Sequence, residues 1–319
     1  MSFHVYVTRR IAEPGMKRLE QAGVSLEVNP EDRALARAEL LAKVRGCDGV
    51  LCQLTDAIDE EVLDAAPQVR VFANYAVGYN NIDVAACRRR GIVVTHTPGV
   101  LTDATAEMAW ALLFAAARRV AESDRFVRAG CWTGWGPMQF LGTELAGATL
   151  GVVGAGRIGT AFALKSRGFG MRVLYADREA SEPLERELGA RRVALGALLR
   201  ESDFLSLHVP LTPETRHLIG RAELEAMKPT AILVNTSRGP VIDEAALVTA
   251  LREGRIGGAG LDVYENEPEL MPGLTELPNA VLCPHTGSAT VAARSRMAEL
   301  AATDLIRVLR GEEPLHPVP

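Results

Sequence analysis

Residues 149–159 read Thr-Leu-Gly-Val-Val-Gly-Ala-Gly-Arg-Ile-Gly, an apolar run followed at once by closely spaced glycines. The apolar run predicts a buried β-strand, and Gly154, Gly156 and Gly159 fit the pattern G-x-G-x-x-G that joins such a strand to a helix. In this pattern the first glycine permits a tight turn, the second lets the backbone approach a pyrophosphate, and the third lets helix and strand pack closely. The N-terminus of the following helix, predicted over 158–168, offers unpaired N–H groups to phosphates. The segment therefore predicts a dinucleotide-binding loop.

An acidic residue stands where such a loop usually has its ribose ligand. A second strand is predicted over 172–176, and Asp177 follows it, 18 positions after Gly159. A carboxylate there accepts hydrogen bonds from ribose hydroxyls and repels a 2′-phosphate, which favours NAD(H) over NADP(H). Arg178 keeps NADP(H) possible, because an arginine can bind that phosphate. Glycines also serve plain strand–helix turns, but the strand, the helix and the acid together favour a cofactor site.

Strand-like runs continue on both sides of this loop and fall into two groups. Helical patterns fill the gaps, so both groups predict parallel sheets covered by helices. Before the loop the predicted strands are 4–8, 25–28, 49–51, 69–73 and 92–95, with helices over 31–45 and 83–90. Beyond the strand at 172–176, further strands are predicted at 204–209, 231–235, 258–263 and 280–283. The first group contains no glycine fingerprint, so only the second domain is expected to bind the nucleotide.

The chain of 319 residues is too long for one ordinary core and suits two domains. The predicted fold class is α/β, with two Rossmann-like domains of parallel sheets: a flavodoxin-like substrate domain and a dinucleotide-binding domain. A last helix, about 291–310, follows the final strand of the second domain and has no strand after it. We expect it to return to the first domain. This gives residues 1–97 plus 287–319 to the substrate-binding (catalytic) domain and 98–286 to the NAD-binding domain.

Residues 102–128 predict one long helix, and an aromatic segment with Trp132 and Trp135 follows it. An exposed aromatic segment often marks a subunit interface. The alternative is a packed loop that covers its own domain, and the residues favour neither. The first alternative makes about 100–142 a dimerisation arm.

Composition excludes several classes of partner and site. The net charge of −5 and the pI of about 5.8 argue against nucleic acid. No stretch approaches the ~18 apolar residues of a membrane span, and the N-terminus lacks the basic and apolar regions of a signal peptide. The five cysteines form no C-x-x-C pair. We therefore expect reduced thiols in a cytoplasmic protein, with no zinc or other metal site.

Polar residues of three kinds follow predicted strands of the second sheet, at the edge where open α/β sheets bind ligands. Arg238 lies in Asn-Thr-Ser-Arg-Gly-Pro (235–240) and can bind a carboxylate with two parallel hydrogen bonds. His285 lies in Pro-His-Thr-Gly-Ser (284–288), and Glu267 lies on the loop after the preceding strand. A carboxylate bound to one imidazole nitrogen fixes the tautomer, and the other nitrogen can then protonate a developing alkoxide. Hydride transfer to a 2-oxo acid requires groups of these kinds.

With these residues in place, the chain resembles the D-isomer-specific 2-hydroxyacid dehydrogenases over nearly its whole length. The similarity runs from Asn-Tyr-Ala-Val-Gly (74–78) through Thr-Asp-Ala-Thr-Ala-Glu (102–107) to Gly-Ser-Ala-Thr (287–290). Within that family it most resembles the glyoxylate/hydroxypyruvate reductases, on residues 284–290 and 101–105. The resemblance implies a homodimer that uses NAD(H) to reduce a small 2-oxo acid, glyoxylate or hydroxypyruvate, to the D-2-hydroxy acid.

The resemblance also implies a role for each site residue. Arg238 would bind the substrate carboxylate, His285 would be the acid/base, and Glu267 would be its partner. Backbone amides of Val77 and Gly78 would complete the substrate-binding set. The implied cofactor-binding residues are Thr105, Gly154, Gly156, Arg157, Ile158, Gly159, Asp177, Val209, Pro210, Thr215, Thr236, Ser237, Asp262 and Gly287, with Asp262 at the nicotinamide carboxamide.

Several alternatives stay open. Gln139 stands where this subgroup carries a tryptophan, which leaves the choice of substrate open. Other D-2-hydroxyacid dehydrogenases and phosphite dehydrogenases use the same three catalytic groups, whereas formate dehydrogenases place a glutamine at the position of Glu267. A different class is an NADH-sensing interaction protein that kept the fold.

Overall fold

The computed structural model describes residues 2–319, which form two compact units. The first unit contains the residues up to Leu101 together with Ala289–Pro319, and the second is Thr102–Ser288. Every strand pairing in both sheets is parallel, which confirms the predicted α/β class. The central strands of a parallel sheet are buried on both faces, and this explains why they read as short apolar runs in the sequence.

The first unit is a five-stranded sheet with helices on both faces. Its strands are β1 (His4–Val7), β2 (Ser25–Val28), β3 (Gly49–Cys52), β4 (Val71–Asn74) and β5 (Val93–Thr95), and its helices are α1 (Glu13–Gln21), α2 (Arg37–Lys43), α3 (Glu60–Ala65), α4 (Val84–Arg89) and α12 (Val291–Leu309). The strand order β2-β1-β3-β4-β5 is the flavodoxin-like order. The predicted strands agree with these bounds to within two residues.

The second unit is a seven-stranded sheet. Its strands are β6 (Thr149–Val153), β7 (Arg172–Ala176), β8 (Arg191–Arg192), β9 (Phe204–Leu207), β10 (Ile232–Asn235), β11 (Gly258–Leu261) and β12 (Ala280–Leu282). Its helices are α5 (Thr102–Ala117), α6 (Val120–Arg128), α7 (Arg157–Lys165), α8 (Glu182–Leu188), α9 (Leu195–Glu201), α10 (Arg221–Ala226) and α11 (Glu244–Arg252). Short 3₁₀ segments are Ser166–Phe169, Gly239–Val241 and Leu274–Glu276.

The order of this sheet, β12-β11-β10-β9-β6-β7-β8, is the Rossmann order extended by one strand. The order reverses between β6 and β9, and the carboxyl ends of these two strands flank the place where such sheets bind a dinucleotide. One face packs against α9, α10 and α11, and the other against α5 and α7. Sheet topology therefore puts the glycine loop after β6 at the switch point.

The predicted helix over 102–128 is wrong, because the structure has two helices there. α5 ends at Ala117, and Arg119 adopts a left-handed backbone with φ of 53° before α6 starts. The carbonyl oxygen of Ala117 accepts a hydrogen bond from the backbone N–H of Thr143 at 2.9 Å. The chain thus returns at Thr143 to provide a hydrogen-bond donor at the C-terminal end of α5. No glycine or proline occurs at the break.

The predicted helix over 31–45 is too long, since α2 covers only Arg37–Lys43. Asn29 explains the difference: its Oδ1 accepts the backbone N–H of Glu31 at 3.1 Å, and its amide donates to the carbonyl of Arg33. An asparagine that binds its own backbone two residues on favours a turn over a helix. Helix α2 then begins only where Glu39 accepts the N–H of Ala36 at 2.7 Å.

Helix α5 is part of the core of the second unit and not an exposed arm. Trp110 is buried and stacks on Phe162 with ring centroids 4.9 Å apart. Within the segment predicted as a dimerisation arm, large exposed apolar side chains begin only after α5. Across residues 2–319, no helix combines the length and apolarity needed to cross a membrane.

Candidate active site

Each glycine of the loop after β6 can be explained from its surroundings in the structure. Gly154 has φ of 91°, and a Cβ there would lie 2.8 Å from the backbone carbonyl of His208. A Cβ on Gly159 would overlap the carbonyl oxygen of Gly154. By contrast, a Cβ on Gly156 would meet no protein atom within 4 Å. Packing within the protein therefore explains the first and third glycines, while the second leaves open space of the kind a ligand needs.

Asp177 ties the end of β7 to this loop. Its Oδ2 accepts the backbone N–H of Ala155 at 2.6 Å, and its Oδ1 accepts that of Arg178 at 2.6 Å. Each carboxylate oxygen has a second lone pair, so these bonds leave capacity for ribose hydroxyls. Arg157 and Ile158 form the first turn of α7, whose N-terminus follows directly on Gly156. The loop, the helix end and the acid meet at one edge of the sheet, as the sequence predicts.

The loop after β9 carries three further predicted cofactor residues. A Cβ on Gly154 would lie 2.9 Å from the Val209 side chain, so Val209 sits against the glycine loop. Thr215 donates its hydroxyl to the carbonyl of Pro210 at 2.6 Å. Its Oγ1 also accepts the N–H of Thr212 at 2.8 Å. Thr215 thus holds the shape of this loop.

Buried polar groups at the end of β10 include one without a partner. The hydroxyl of Thr236 is buried and has no hydrogen-bond partner within residues 2–319. Buried hydroxyls are normally paired, so this one fits a bound polar ligand. The backbone N–H and hydroxyl of Ser237 both donate to Asn235 Oδ1, at 3.0 and 2.8 Å. The open space at Gly156 and the unpaired Thr236 hydroxyl are both compatible with a bound dinucleotide.

The proposed acid/base and its partner are in contact. His285 Nδ1 lies 2.8 Å from Glu267 Oε2, and Glu267 Oε1 accepts the N–H of Tyr264 at 3.0 Å. Burial tends to raise the pKa of Glu267, but the hydrogen bond and charge of His285, with the Tyr264 N–H, outweigh it, so the pKa is lower than usual. Tyr264 also donates its hydroxyl to the Cys283 carbonyl at 2.8 Å, which joins the two loops.

The backbone of His285 is left-handed, with φ of 55°. Such a conformation is uncommon outside glycine and persists where surrounding structure enforces it. Asp262 supplies that enforcement, since its Oδ1 accepts the N–H of Thr286 at 2.7 Å and its Oδ2 accepts that of Gly287 at 2.6 Å. A Cβ on Gly287 would lie 3.4 Å from Thr105, so these residues pack together. Asp262 therefore anchors the His285 loop, a role that the sequence analysis did not foresee.

Arg238 follows β10, as predicted, and its side chain is largely buried. Its Nη1 donates to the carbonyl of Ser237 at 2.7 Å. Burial lowers the pKa of the guanidinium, and the carboxylate of Glu267 opposes that shift. An arginine keeps its proton under such conditions. The Asn235 amide donates to the Arg238 carbonyl at 2.9 Å, so Asn235 shapes this turn from both sides. The sequence alone predicts no role for Asn235.

Val77 and Gly78 lie in the first unit, on the loop after β4. Three consecutive carbonyl oxygens of this loop accept hydrogen bonds within the unit. Ala76 accepts from the Thr97 N–H at 2.9 Å, Val77 bonds His96 Nδ1 at 2.8 Å, and Gly78 accepts from Asn74 at 2.8 Å. Carbonyls held in this way leave adjacent amide N–H groups for an acceptor such as a carboxylate.

The chain is similar to known proteins over most of its length. The family model for the NAD-binding domain of D-isomer specific 2-hydroxyacid dehydrogenases matches residues 110–287. The glyoxylate reductase of Thermococcus litoralis is 52% identical over 314 residues, which are 97% of this chain and 95% of the relative. A crystal structure of a Thermus thermophilus protein has a TM-score of 0.93 at 48% identity and covers 99% of this chain and 100% of that one.

A second solved structure bears on the cofactor. It is an NADPH-dependent glyoxylate/hydroxypyruvate reductase from Sinorhizobium meliloti in complex with NADP and malonate. Its TM-score is 0.88 at 34% identity, with 100% of this chain and 97% of that chain covered. The likeness to known proteins thus extends over both units of the chain.

Proposed function

This chain belongs to the D-isomer specific 2-hydroxyacid dehydrogenase family, a family of oxidoreductases, and we propose that it reduces glyoxylate to glycolate or hydroxypyruvate to the D-2-hydroxy acid. The observation that carries the proposal is the 2.8 Å hydrogen bond between His285 Nδ1 and Glu267 Oε2. These residues lie on loops after the neighbouring strands β12 and β11, at the ligand-binding edge of the sheet. Related glyoxylate reductases support the choice of substrate.

When bound, a reduced nicotinamide dinucleotide would supply the hydride for C2 of the 2-oxo acid. His285, held through Nδ1 by Glu267, gives the proton on Nε2 to the keto oxygen, which becomes the hydroxyl. Arg238 binds the carboxylate and offsets its charge in a largely buried place. Val77 and Gly78, in the first unit, are proposed substrate-binding residues that act through their backbone N–H groups.

We propose NADH as the preferred cofactor and NADPH as a second one. Gly154, Gly156, Gly159 and the first turn of α7 would hold the pyrophosphate. Asp177 would accept the ribose hydroxyls, and its charge would repel a 2′-phosphate. Asp262 is proposed to bind the carboxamide while anchoring the His285 loop.

A homodimer is proposed from the exposed apolar surface after α5. Trp132 and Trp135 are 57% and 83% exposed, and Met138 is 76% exposed. A run of exposed aromatic and large apolar side chains is typical of an interface with another subunit. Gln139 is also exposed and lies within this surface. In the proposed dimer, Gln139 would therefore affect substrate choice in the second copy of the chain.

The first test is initial rates of NADH oxidation with glyoxylate, hydroxypyruvate, pyruvate and 2-oxoglutarate, each repeated with NADPH. We expect the highest kcat/KM with one of the first two acids and NADH. Arg238→Ala should lower kcat/KM by roughly 100-fold or more, because the substrate loses both its anchor and its counter-charge. Arg221→Ala, an exposed arginine on α10, is the control and should leave the rate unchanged. A near-normal rate from Arg238→Ala would refute the proposal.

A further inference from the structure

Arg238 and Glu267 come from different loops, and the structure contains a third group of residues that joins those loops. Strands β10 and β11 pair in parallel up to Asn235 and Leu261, after which each loop leaves the sheet. The backbones stay in contact beyond that point, since a Cβ on Gly239 would overlap the Tyr264 carbonyl. Backbone contact alone leaves the side chains of two irregular loops free to shift.

Glu265 extends this contact through its side chain, which is only 12% exposed. Its Oε1 lies 2.6 Å from His217 Nε2, and its Oε2 accepts the N–H of Glu244 at 3.4 Å. The backbone N–H of Glu265 in turn donates to Glu244 Oε1 at 3.0 Å. One residue of the Glu267 loop is thereby fixed to the start of α11 and to the segment after β9.

His217 contacts both loops at once. Its ring binds Glu265 on the Glu267 loop, while its backbone N–H donates to the carbonyl of Pro240, two residues after Arg238, at 2.8 Å. His217 has a left-handed backbone with φ of 51°, a conformation that non-glycine residues hold only when their surroundings require it. We call His217, Glu244 and Glu265 the loop clamp.

We propose that His217 and Glu265 are positioning residues that set the placement of the Arg238 guanidinium relative to the Glu267–His285 pair. This inference rests on the proposed function, in which Arg238 orients the carboxylate and His285 protonates the keto oxygen of the same small molecule. A substrate of this size spans the two groups rigidly, so a shift of one loop misaligns the proton donor. A displacement of about 1 Å can lower a rate by roughly 100-fold.

The test compares Glu265→Ala, His217→Asn and the double variant in steady-state kinetics with glyoxylate. Asparagine is chosen at 217 because it tolerates the left-handed backbone but is too short to reach Glu265. Each single variant should lower kcat by roughly 10- to 100-fold, and the double variant should fall no further than Glu265→Ala, because Glu265→Ala already removes the contact with His217. Glu265→Gln can still accept the Glu244 N–H through its oxygen and can donate its NH₂ group to His217 Nε2, so it should recover most of the rate.

Two further readouts separate positioning from a general loss of structure. Misplaced groups raise the barrier to the chemical step, so the primary deuterium isotope effect with NADH labelled at the transferred position should increase. NADH binding measured by fluorescence should stay within twofold of the wild type. A smaller folded fraction would instead lower kcat with an unchanged isotope effect, and that result would overturn the proposal. Glu225→Ala removes an exposed ion pair on α10 and is the matched control.

Failure of this inference differs from failure of the proposed function. If Arg238→Ala and His285→Asn abolish turnover while Glu265→Ala and His217→Asn stay within twofold of wild type, only the loop clamp is refuted. A multiplicative loss in the double variant would likewise refute action through a shared contact. If Arg238→Ala and His285→Asn keep the wild-type rate, the proposed function itself fails. Because the His217 side chain is 40% exposed, its replacement leaves a folded protein to measure.

Discussion

Replacement of Asp262 by asparagine should release the loop that carries His285. The carboxylate belongs to a residue that is 1% exposed, and it accepts the N–H groups of Thr286 and Gly287 at 2.7 and 2.6 Å. Asparagine keeps one acceptor oxygen but presents an NH₂ group to the other N–H. A hydrogen bond to a charged group contributes about 1.5–3 kcal/mol, and a buried N–H without a partner costs about 1–3 kcal/mol.

The loss of anchoring is therefore about 2–4 kcal/mol, since these two terms overlap. The left-handed backbone of His285 is disfavoured by about 1–2 kcal/mol without support, so the loop should relax once the anchor is weakened. At 1.4 kcal/mol per factor of ten, local opening should become roughly 30- to 1,000-fold more frequent. If the proposed function holds, kcat/KM should fall by about 100-fold as His285 loses its position.

Hydrogen–deuterium exchange of peptides covering 283–290, together with steady-state kinetics, measures both effects. Asp203→Asn is a matched control, because Asp203 also accepts a partly buried backbone N–H, that of Thr149 at 2.8 Å, but at the opposite edge of the same sheet. That control should leave exchange near His285 and the rate unchanged. Wild-type exchange over 283–290 in Asp262→Asn, with kcat/KM within twofold, would refute this account of the anchor.

Three further predictions concern the cofactor loop and its surroundings. Gly156→Ala should leave the melting temperature unchanged but raise KM for NADH by about tenfold or more, whereas Gly159→Ala should lower the melting temperature, because its Cβ overlaps a backbone oxygen. Asp177→Ala should shift the ratio of kcat/KM for NADH over NADPH by about tenfold towards NADPH, and an unchanged ratio would contradict the role given to this carboxylate. Burial lowers the pKa of His208 to about 3, so only the unfolded chain takes up this proton as the pH falls from about 6.5. The free energy of unfolding should then decrease by as much as about 1.4 kcal/mol per pH unit, and His208→Gln should flatten that dependence in denaturant titrations.

The sequence predicted the sheets and the site edge well for a common physical reason. Parallel strands buried on both faces are continuous apolar runs, and the residues that follow them lie at one edge of the sheet. Arg238, Glu267 and His285 each follow such a run, so their order in the chain already places them at the same edge. Predicting the contact between His285 and Glu267 required only that the loops after the neighbouring strands β11 and β12 lie next to each other.

Features that depend on a contact between residues far apart in the sequence were not predictable from apolar runs. The break between α5 and α6 depends on Thr143 binding Ala117, and the pair of arginines at the break is otherwise compatible with a helix. Strand β8 is a two-residue strand, Arg191–Arg192, without apolar character. Its pairing with β7 comes from the geometry of the sheet edge and leaves no periodic signal.

Within the site, too, the positions of residues were predictable from the sequence, but some of their contacts were not. Asp262 was expected to bind a ligand, yet its hydrogen bonds go to the loop that carries His285. No role was predicted for Asn235, yet its amide group forms hydrogen bonds with both Arg238 and Ser237 and so stabilises the turn. Side chains that bind backbone across loops can be identified as polar and buried from sequence, but their partners depend on loop paths that a strand pattern does not fix.

Helix α12 has a consequence for how this protein can be made. It packs on α1 so closely that a Cβ on Gly15 would lie 2.7 Å from Ala298, and its Leu305 is completely buried in the first unit. The residues that complete that unit are therefore separated from its start by the whole of Thr102–Ser288. During synthesis on the ribosome, all residues of the second unit are made before α12. The second unit can therefore fold before the first unit has its last helix. The first unit is therefore the first to leave the ribosome and the last to complete its core.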